Sequence, residues 1–371
     1  MKVIIAAAGT GGHINPGIAI ANKIKKEQPN SEIMFIGTTR GLENDLVPRA
    51  GYKLRTIEAY GLSKEISIDN FKKMMKTLKG VEQARKIVKE FDPDIVIGTG
   101  GYICGAVILA AHKYKIPCML HESNAFPGKA VKILSKKVDT IMLGFEDAKL
   151  RLPKKANLVV TGTPTKMKDL HYTIKQSQDI KRKLGLSINK PLVLFFGGSQ
   201  GAKKINDAIL PIIIENSNTN YQIIWAPGPK QYDVIKENLE DHHININNIK
   251  ETKIIPYIYN MEEIMNVSDI IVARSGAITI TEIGIVGKPA IFIPLPNVSE
   301  NHQEYNANVL KNKGAAKIIL NENLNSDTLH TTINNMLKED LDTMGRKAKE
   351  IVIEDVEEKI YNEITKLLQK S

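Results

Sequence analysis

The chain has 371 residues and only two cysteines, Cys104 and Cys118, with no C-x-x-C between them. That excludes a disulfide scaffold and a thiolate metal site, and suits two buried thiols in a reducing compartment. Aromatic residues make up 5% of the chain, with a single tryptophan. No nucleic-acid-binding module is recognisable either, so nucleic acid is not an expected partner. No apolar run approaches the ~20 residues of a membrane-spanning helix. The opening apolar run is short and ends in glycines rather than a cleavage site, so no signal peptide is expected. Low-complexity tracts and tight repeats are also missing. What remains is ordinary for a globular protein, 42% hydrophobic and 25% charged, with one asymmetry. Residues 1–163 carry 26 Lys and Arg against 15 Asp and Glu, whereas the remainder carries 25 against 26. Nucleic acid, an anionic membrane surface or an anionic substrate would each explain that excess, and the missing nucleic-acid module leaves the last two.

Strands and helices alternate along the first half. Short β-branched runs predict strands at Lys2–Ala8, Glu32–Gly37, Lys53–Ile57, Ile95–Gly98, Cys118–His121, Thr140–Leu143 and Leu158–Thr161. Helical spacing fills Gly17–Glu27, Ile68–Phe91 and Gly105–Lys115. After a linker-like stretch around Pro164 the pattern restarts with PLVLFFGGSQGAKKINDAIL. This predicts an α/β fold of two doubly wound, mostly parallel domains, residues 1–163 and 164–349. The charged stretch Asp340–Ser371 has helical spacing, and its end, about 350–371, is expected to pack back on the first domain.

Several glycine loops follow predicted strands, where parallel sheets bind phosphates. AAAGTGGHINPG lacks the third glycine of a dinucleotide fingerprint, and no acidic residue closes the second strand, which speaks against a nicotinamide cofactor. GGSQGAKK lacks the ending of a P-loop, yet its glycine amides and Ser199 suit a diphosphate at a helix start. In ARSGAITITEIG, the residues Arg274, Ser275, Gly276 and Ala277 form a second anion site, and Glu282 can accept both hydrogen bonds of a ribose diol. His302, Gln303 and Asn306 follow in a polar segment suited to sugar hydroxyls.

Taken in order, GTGGHINPG, GTGGY, HESNAFPGK, GGSQGA, ARSGAITITEIG and NHQEYNA resemble one bacterial family. It is that of the UDP-N-acetylglucosamine:undecaprenyl-pyrophosphoryl-N-acetylmuramyl-pentapeptide N-acetylglucosaminyltransferases of peptidoglycan synthesis. The resemblance implies the GT-B arrangement, two Rossmann-like domains facing each other across a cleft, with UDP-GlcNAc in the second. By motif position it places Ser199, Gln200 and Asn206 at the donor phosphates and sugar, Ile258 and Met261 beside the uracil, and Glu282 on the ribose. His302 and Gln303 fall where the family has a Gln pair on the GlcNAc. Lys166 takes the place of an Arg found in some members near the diphosphate, keeping the charge without the fork.

The implied chemistry is inverting transfer to the C4 hydroxyl of the muramyl sugar in a polyprenyl-diphosphate acceptor, lipid I. A base must take that proton, and His13 is the leading candidate because imidazole titrates near neutrality. Glu122 competes with it. Thr10, Gly11 and Gly12, together with Gly101, Tyr102 and Asn124, form the expected acceptor side. The one Asp-x-Asp triplet, Asp92-Pro93-Asp94, reads as a turn, so no metal and no cofactor are expected. A lipid acceptor requires a membrane surface. On the predicted helix from Ile68, Phe71, Met75 and Leu78 share a face flanked by Lys72 and Lys76, which suits anionic headgroups. The expected location is thus peripheral, on the cytoplasmic face of the cell membrane, with cell-wall synthesis and division proteins as further partners. Another UDP-sugar enzyme of the same fold, a lipid glycosyltransferase or a UDP-GlcNAc 2-epimerase, stays open as the alternative.

Overall fold

The alternation becomes two parallel sheets in a computed structural model that describes residues 1–60, 68–198, 201–216, 220–296 and 298–370, the side chains of 68–74 and 299 excepted. By contacts the chain divides into two units, Met1–Thr165 with Ile353–Ser371, and Lys166–Val352.

In the first unit the strands are β1 (Lys2–Ala7), β2 (Glu32–Gly37), β3 (Lys53–Thr56), β4 (Ile95–Gly100), β5 (Cys118–Glu122), β6 (Thr140–Leu143) and β7 (Leu158–Val160). They lie in the order β3-β2-β1-β4-β5-β6-β7, all parallel. Strand β1 shows why this sheet needs cover on both sides. Its side chains alternate, so Ile4 and Ala6 join one core with Val107 and Ile108 of the helix Ile103–Lys113. Val3 and Ile5 face the other way, into a core with Ile14, Ile20 and Ile24 of the helix Gly11–Glu27. That second core is closed by Ile360 and Ile364 of the C-terminal helix Val356–Leu368. Lys23 pins the two helices together by an ion pair to Glu358 at 2.5 Å.

The second unit holds β8 (Leu192–Phe196), β9 (Gln222–Ala226), β10 (Thr252–Ile254), β11 (Ile270–Ala273), β12 (Ala290–Phe292) and β13 (Ala316–Ile318). Their order is β10-β9-β8-β11-β12-β13. Both sheets therefore have one place where the chain reverses direction across the sheet, between β1 and β4 in the first and between β8 and β11 in the second. Such switch points open a crevice at the carboxyl ends of the strands.

Three elements differ from the sequence reading. The first helix begins at Gly11 rather than Gly17. Two glycines and Pro16 argue locally against helix there, but complete burial of Ile14 outweighs them. Strand β13 is a three-residue run that periodicity did not pick out. The terminal stretch divides into two helices. Leu341–Lys349 buries Met344 in the core of the second unit, and Val356–Leu368 packs in the first. As for Asp92-Pro93-Asp94, the Asp94 carboxylate accepts the Lys2 amide at 2.7 Å, at the amino end of the sheet, the edge opposite the crevice.

Candidate active site

In the first unit the crevice between β1 and β4 is built from two glycine turns and one imidazole. Gly9 (φ +96°) lets the chain leave β1 sharply, and Thr10 then starts the helix with no side-chain cap and no acidic residue in the first turn. The first amides of that helix thus keep their positive end available to an anion. His13 lies in this first turn, its own amide bonded to Thr10 O at 3.0 Å. Its ring rests on the second turn: a Cβ on Gly100 (φ +133°) would run into the imidazole. Thr99 Oγ1 donates to His13 O at 2.8 Å, tying β4 to the helix.

The tautomer of His13 follows from one bond. Nδ1 lies 3.0 Å from Ala8 O, and a carbonyl only accepts, so Nδ1 carries the hydrogen. The neutral ring then bears its lone pair on Nε2.

Glu122, the competing base, is 6% exposed and has both oxygens engaged. Oε1 accepts from the Asn124 amide and side chain at 2.9 Å each, and Oε2 accepts from the Gly128 amide at 2.8 Å. The carboxylate thereby shapes the turn after β5 and orients Asn124. Gly101 approaches Ala8 O closely, and Tyr102, 44% exposed, stands at the start of the next helix.

Sequence reasoning missed the residue that binds the first turn to its neighbour. Glu43 is fully buried. Its carboxylate accepts from Gly9 N at 2.9 Å, Thr38 N at 2.8 Å and Thr38 Oγ1 at 2.7 Å. Burial alone would raise its pKa, but these donors hold it below the usual carboxylate value. Gly41 leaves room for it, since a Cβ there would strike the carboxylate. An acid framed by Gly37 and Gly41 was the available signal.

In the second unit the helices after β8 and β11, Lys203–Ile214 and Ala277–Val286, flank the switch point. Neither has a side-chain cap or an acidic residue in its first turn. Ser199 and Gln200 lie outside the described residues. Several side chains expected at the donor face inward. Asn206 is 3% exposed; it accepts from Trp225 Nε1 at 3.1 Å and donates to Pro227 O at 3.0 Å. Ser275 is fully buried, with Oγ donating to Gln303 O at 2.7 Å. Asn306, also fully buried, donates to Ser275 O at 3.2 Å. Arg274 gives Nη1 to Ile293 O at 2.9 Å, Pro294 O at 3.2 Å and Asn321 Oδ1 at 2.9 Å, and burial lowers its pKa. Gln303 Oε1 accepts the Leu295 amide at 2.9 Å. These residues hold the strand-end loops against each other, and the helix start after Gly276 has no side-chain cap.

Glu282 and His302 are half-exposed on their helices, and Lys166 is exposed at the first position of the second unit. Ile258 is buried, and Met261 opens the helix Met261–Val267. Beside Ile258, Tyr257 and Tyr259 stack edge to face at 5.0 Å, with Tyr259 93% exposed; the sequence reading passed over both. Among the described residues no group of three or more His, Cys, Asp or Glu could hold a metal ion. The helix Ile68–Phe91 exposes Met75 and Leu78, and Lys76 with them; the side chains of Phe71 and Lys72 lie outside the described residues. No helix is long and apolar enough to cross a membrane among the described residues.

Residues 3–143 match the glycosyltransferase family 28 N-terminal domain and residues 192–362 the family 28 C-terminal domain. A UDP-N-acetylglucosamine–N-acetylmuramyl-(pentapeptide) pyrophosphoryl-undecaprenol N-acetylglucosamine transferase of Acetivibrio thermocellus is 43% identical over 100% of this chain and 99% of its own. The protein of the same name from Clostridioides difficile is 42% identical over 99% of this chain and 89% of its own. Among solved structures, that of Acinetobacter baumannii MurG is similar with a TM-score of 0.79 and 25% identity, covering 100% of this chain and 99% of its own.

Proposed function

The chain belongs to the family of UDP-N-acetylglucosamine–N-acetylmuramyl-(pentapeptide) pyrophosphoryl-undecaprenol N-acetylglucosamine transferases, and from that premise we propose that it turns lipid I into lipid II. It is a hexosyltransferase. The C4 oxygen of the muramyl sugar attacks C1 of GlcNAc, the bond from C1 to the UDP oxygen breaks, and configuration inverts.

The observation that carries the chemical role is the His13 ring, oriented by Ala8 O and seated on Gly100. His13 Nε2 takes the proton as the new glycosidic bond forms. Glu122, with its oxygens occupied by loop donors, orients Asn124 rather than accepting that proton. Thr10, Gly11, Gly12, Gly101 and Tyr102 receive the acceptor's diphosphate and sugar, and Lys166 is assigned to the acceptor by its motif position. In the second unit the uncapped helix starts after β8 and β11 bind the UDP diphosphate and stabilise the charge that builds on it. Ser199 and Gln200 belong to that loop. Ile258, with Tyr257 and Tyr259, receives the uracil, Glu282 the ribose, and His302 and Gln303 the GlcNAc. No divalent metal takes part in this reading.

The exposed Met75, Leu78 and Lys76 support peripheral contact with anionic lipid at the cytoplasmic face, where lipid I is consumed. Cell-wall synthesis and division proteins are the partners expected there.

The test is transfer of labelled GlcNAc from UDP-GlcNAc to a soluble lipid I analogue, with and without EDTA. Absence of product refutes the function, and loss of product in EDTA refutes the metal-free step. Incubation with UDP-GlcNAc alone separates an epimerase, which would turn it over unaided. His13→Ala should abolish turnover while UDP-GlcNAc binding persists; near-normal turnover would remove His13 from the role.

A further inference from the structure

Beside the first glycine turn stands a cluster that the transfer chemistry does not use. Arg40 follows β2, Tyr60 follows β3, and Lys76 projects from the helix Ile68–Phe91. The Arg40 guanidinium carbon lies 3.9 Å from the centre of the Tyr60 ring, and Lys76 Nζ lies 5.4 Å from it. The seat is braced from below. Arg40 Nη2 donates to Ala59 O at 2.8 Å, and the Tyr60 amide donates to Thr77 Oγ1 at 3.3 Å. Gly80 lets the helix approach so closely that a Cβ would strike Glu58 O.

Two cations on one aromatic ring repel each other, and neither is paired with a carboxylate among the described residues. The arrangement is therefore incomplete electrostatically: an anion at the edge of the ring, within reach of both, would gain from each, at little ordering cost, because ring and backbone already hold the guanidinium. Its position adds a direction. The Arg40 loop is tied to the acceptor turn by Leu42 N to Gly9 O at 3.3 Å and by the Glu43 carboxylate, which holds Gly9 and Thr38 together. On the other side, Lys76 sits beside the exposed Met75 and Leu78. The seat thus lies between the proposed base and the apolar surface.

We infer that Arg40 and Lys76, mounted on Tyr60, form a phosphate-binding seat at the lipid-facing rim of the acceptor site. This rests on the proposed lipid acceptor. Two sources offer the same chemistry, the acceptor's own diphosphate and the phosphate of a membrane lipid headgroup.

The full-length enzyme and its Arg40→Gln/Lys76→Gln variant decide the matter in two arms. In the first, GlcNAc transfer is measured in free solution to a lipid I analogue with a short, water-soluble prenyl chain. In the second, binding is measured to vesicles of phosphatidylglycerol and phosphatidylcholine, against phosphatidylcholine alone. If the acceptor's diphosphate occupies the seat, the acceptor KM rises roughly tenfold, with the UDP-GlcNAc KM unchanged. If the headgroup does, soluble kinetics stay put and affinity for the anionic vesicles falls by a similar factor. Arg40→Lys, which keeps charge without the fork, should recover only part of either effect. Both arms unchanged in the double variant would overturn the inference. Transfer by the unmodified enzyme is the separate control: its failure would remove the proposed function, whereas its success with an unmoved variant removes only the seat.

Discussion

Replacing Glu43 with glutamine should disable the first glycine turn, the proposed acceptor turn, while leaving the proposed donor site of the second unit intact. The side chain keeps its size, but one carboxylate oxygen becomes an NH2 group facing donors that the oxygen used to accept. Gly9 N and Thr38 N and Oγ1 lie 2.7–2.9 Å from the two oxygens, in a site with no water exposure. Losing a bond to a charged acceptor and leaving its donor buried costs about 2–3 kcal/mol. For a unit of this size that corresponds to a fall in Tm of roughly 4–12 °C. The sign of the pH dependence also follows. Because the folded pKa of Glu43 is depressed, its stabilisation is present above the ordinary Glu value and disappears as pH falls through the folded one. The gap between wild type and Glu43→Gln, measured by urea unfolding, should therefore be full at neutral pH and shrink below about pH 4. In steady state, kcat should fall on the order of 10–100-fold as the His13 turn loses its anchor, with the UDP-GlcNAc KM unchanged. A variant as stable as wild type at pH 7, or one whose deficit does not shrink in acid, would refute the reasoning.

Gly100→Ala places a methyl against the His13 ring at a backbone angle that favours glycine; kcat should drop about 100-fold, with the UDP-GlcNAc KM within about twofold by steady-state kinetics. Asn206→Ala leaves the Trp225 indole N–H and Pro227 O without partners, at a cost of about 2–4 kcal/mol, and should raise the UDP-GlcNAc KM because Gly201 packs closely on Pro227 O. His121 is buried with Nε2 donating to Gly162 O at 2.9 Å, and burial lowers its pKa to about 4. The unfolded chain therefore takes a proton first, and stability falls by about 3 kcal/mol as pH drops from about 6.5 to about 4. His121→Gln should lose that slope in thermal denaturation.

The strands were legible because parallel strands covered on both faces need short, continuous β-branched runs bounded by glycine. Ile33–Ile36 and Ile95–Ile97 have that form and sit where periodicity put them. The helix start at Gly11 was not legible, since local propensity speaks against Gly-Gly-x-x-x-Pro and only the burial of Ile14 against the sheet reverses it. The glycine motifs follow β1, β4, β8 and β11, the four strands that meet at the two switch points. What they could not give was the direction of each side chain. Whether Asn206 meets a ligand or an indole depends on Trp225, a contact 19 residues away, and Glu43 is joined to Gly9 across 34 residues. Spacing along one helix or loop carries no information about such pairs.

That difference has a consequence for how the two crevices work. Asn206, Ser275, Arg274, Gln303, Glu122 and Glu43 all spend hydrogen bonds on neighbouring loops. In the proposed reading the anion contacts are then main-chain amides at the uncapped helix starts, which cannot be deleted by changing a side chain. Substituting one of the holding residues should therefore act through displacement of a whole turn. Its effect should be partly recovered by a near-isosteric side chain that restores the bond, which is not expected of a residue that touches the substrate itself. His13 is the exception in the first crevice. It makes one orienting bond, through Nδ1, and the proposed proton transfer falls to its other nitrogen. Asn in its place can mimic the bond to Ala8 O, because its amide nitrogen is attached to Cγ as Nδ1 is, yet it offers no basic nitrogen, so His13→Asn should keep the fold and the donor affinity and still lose turnover.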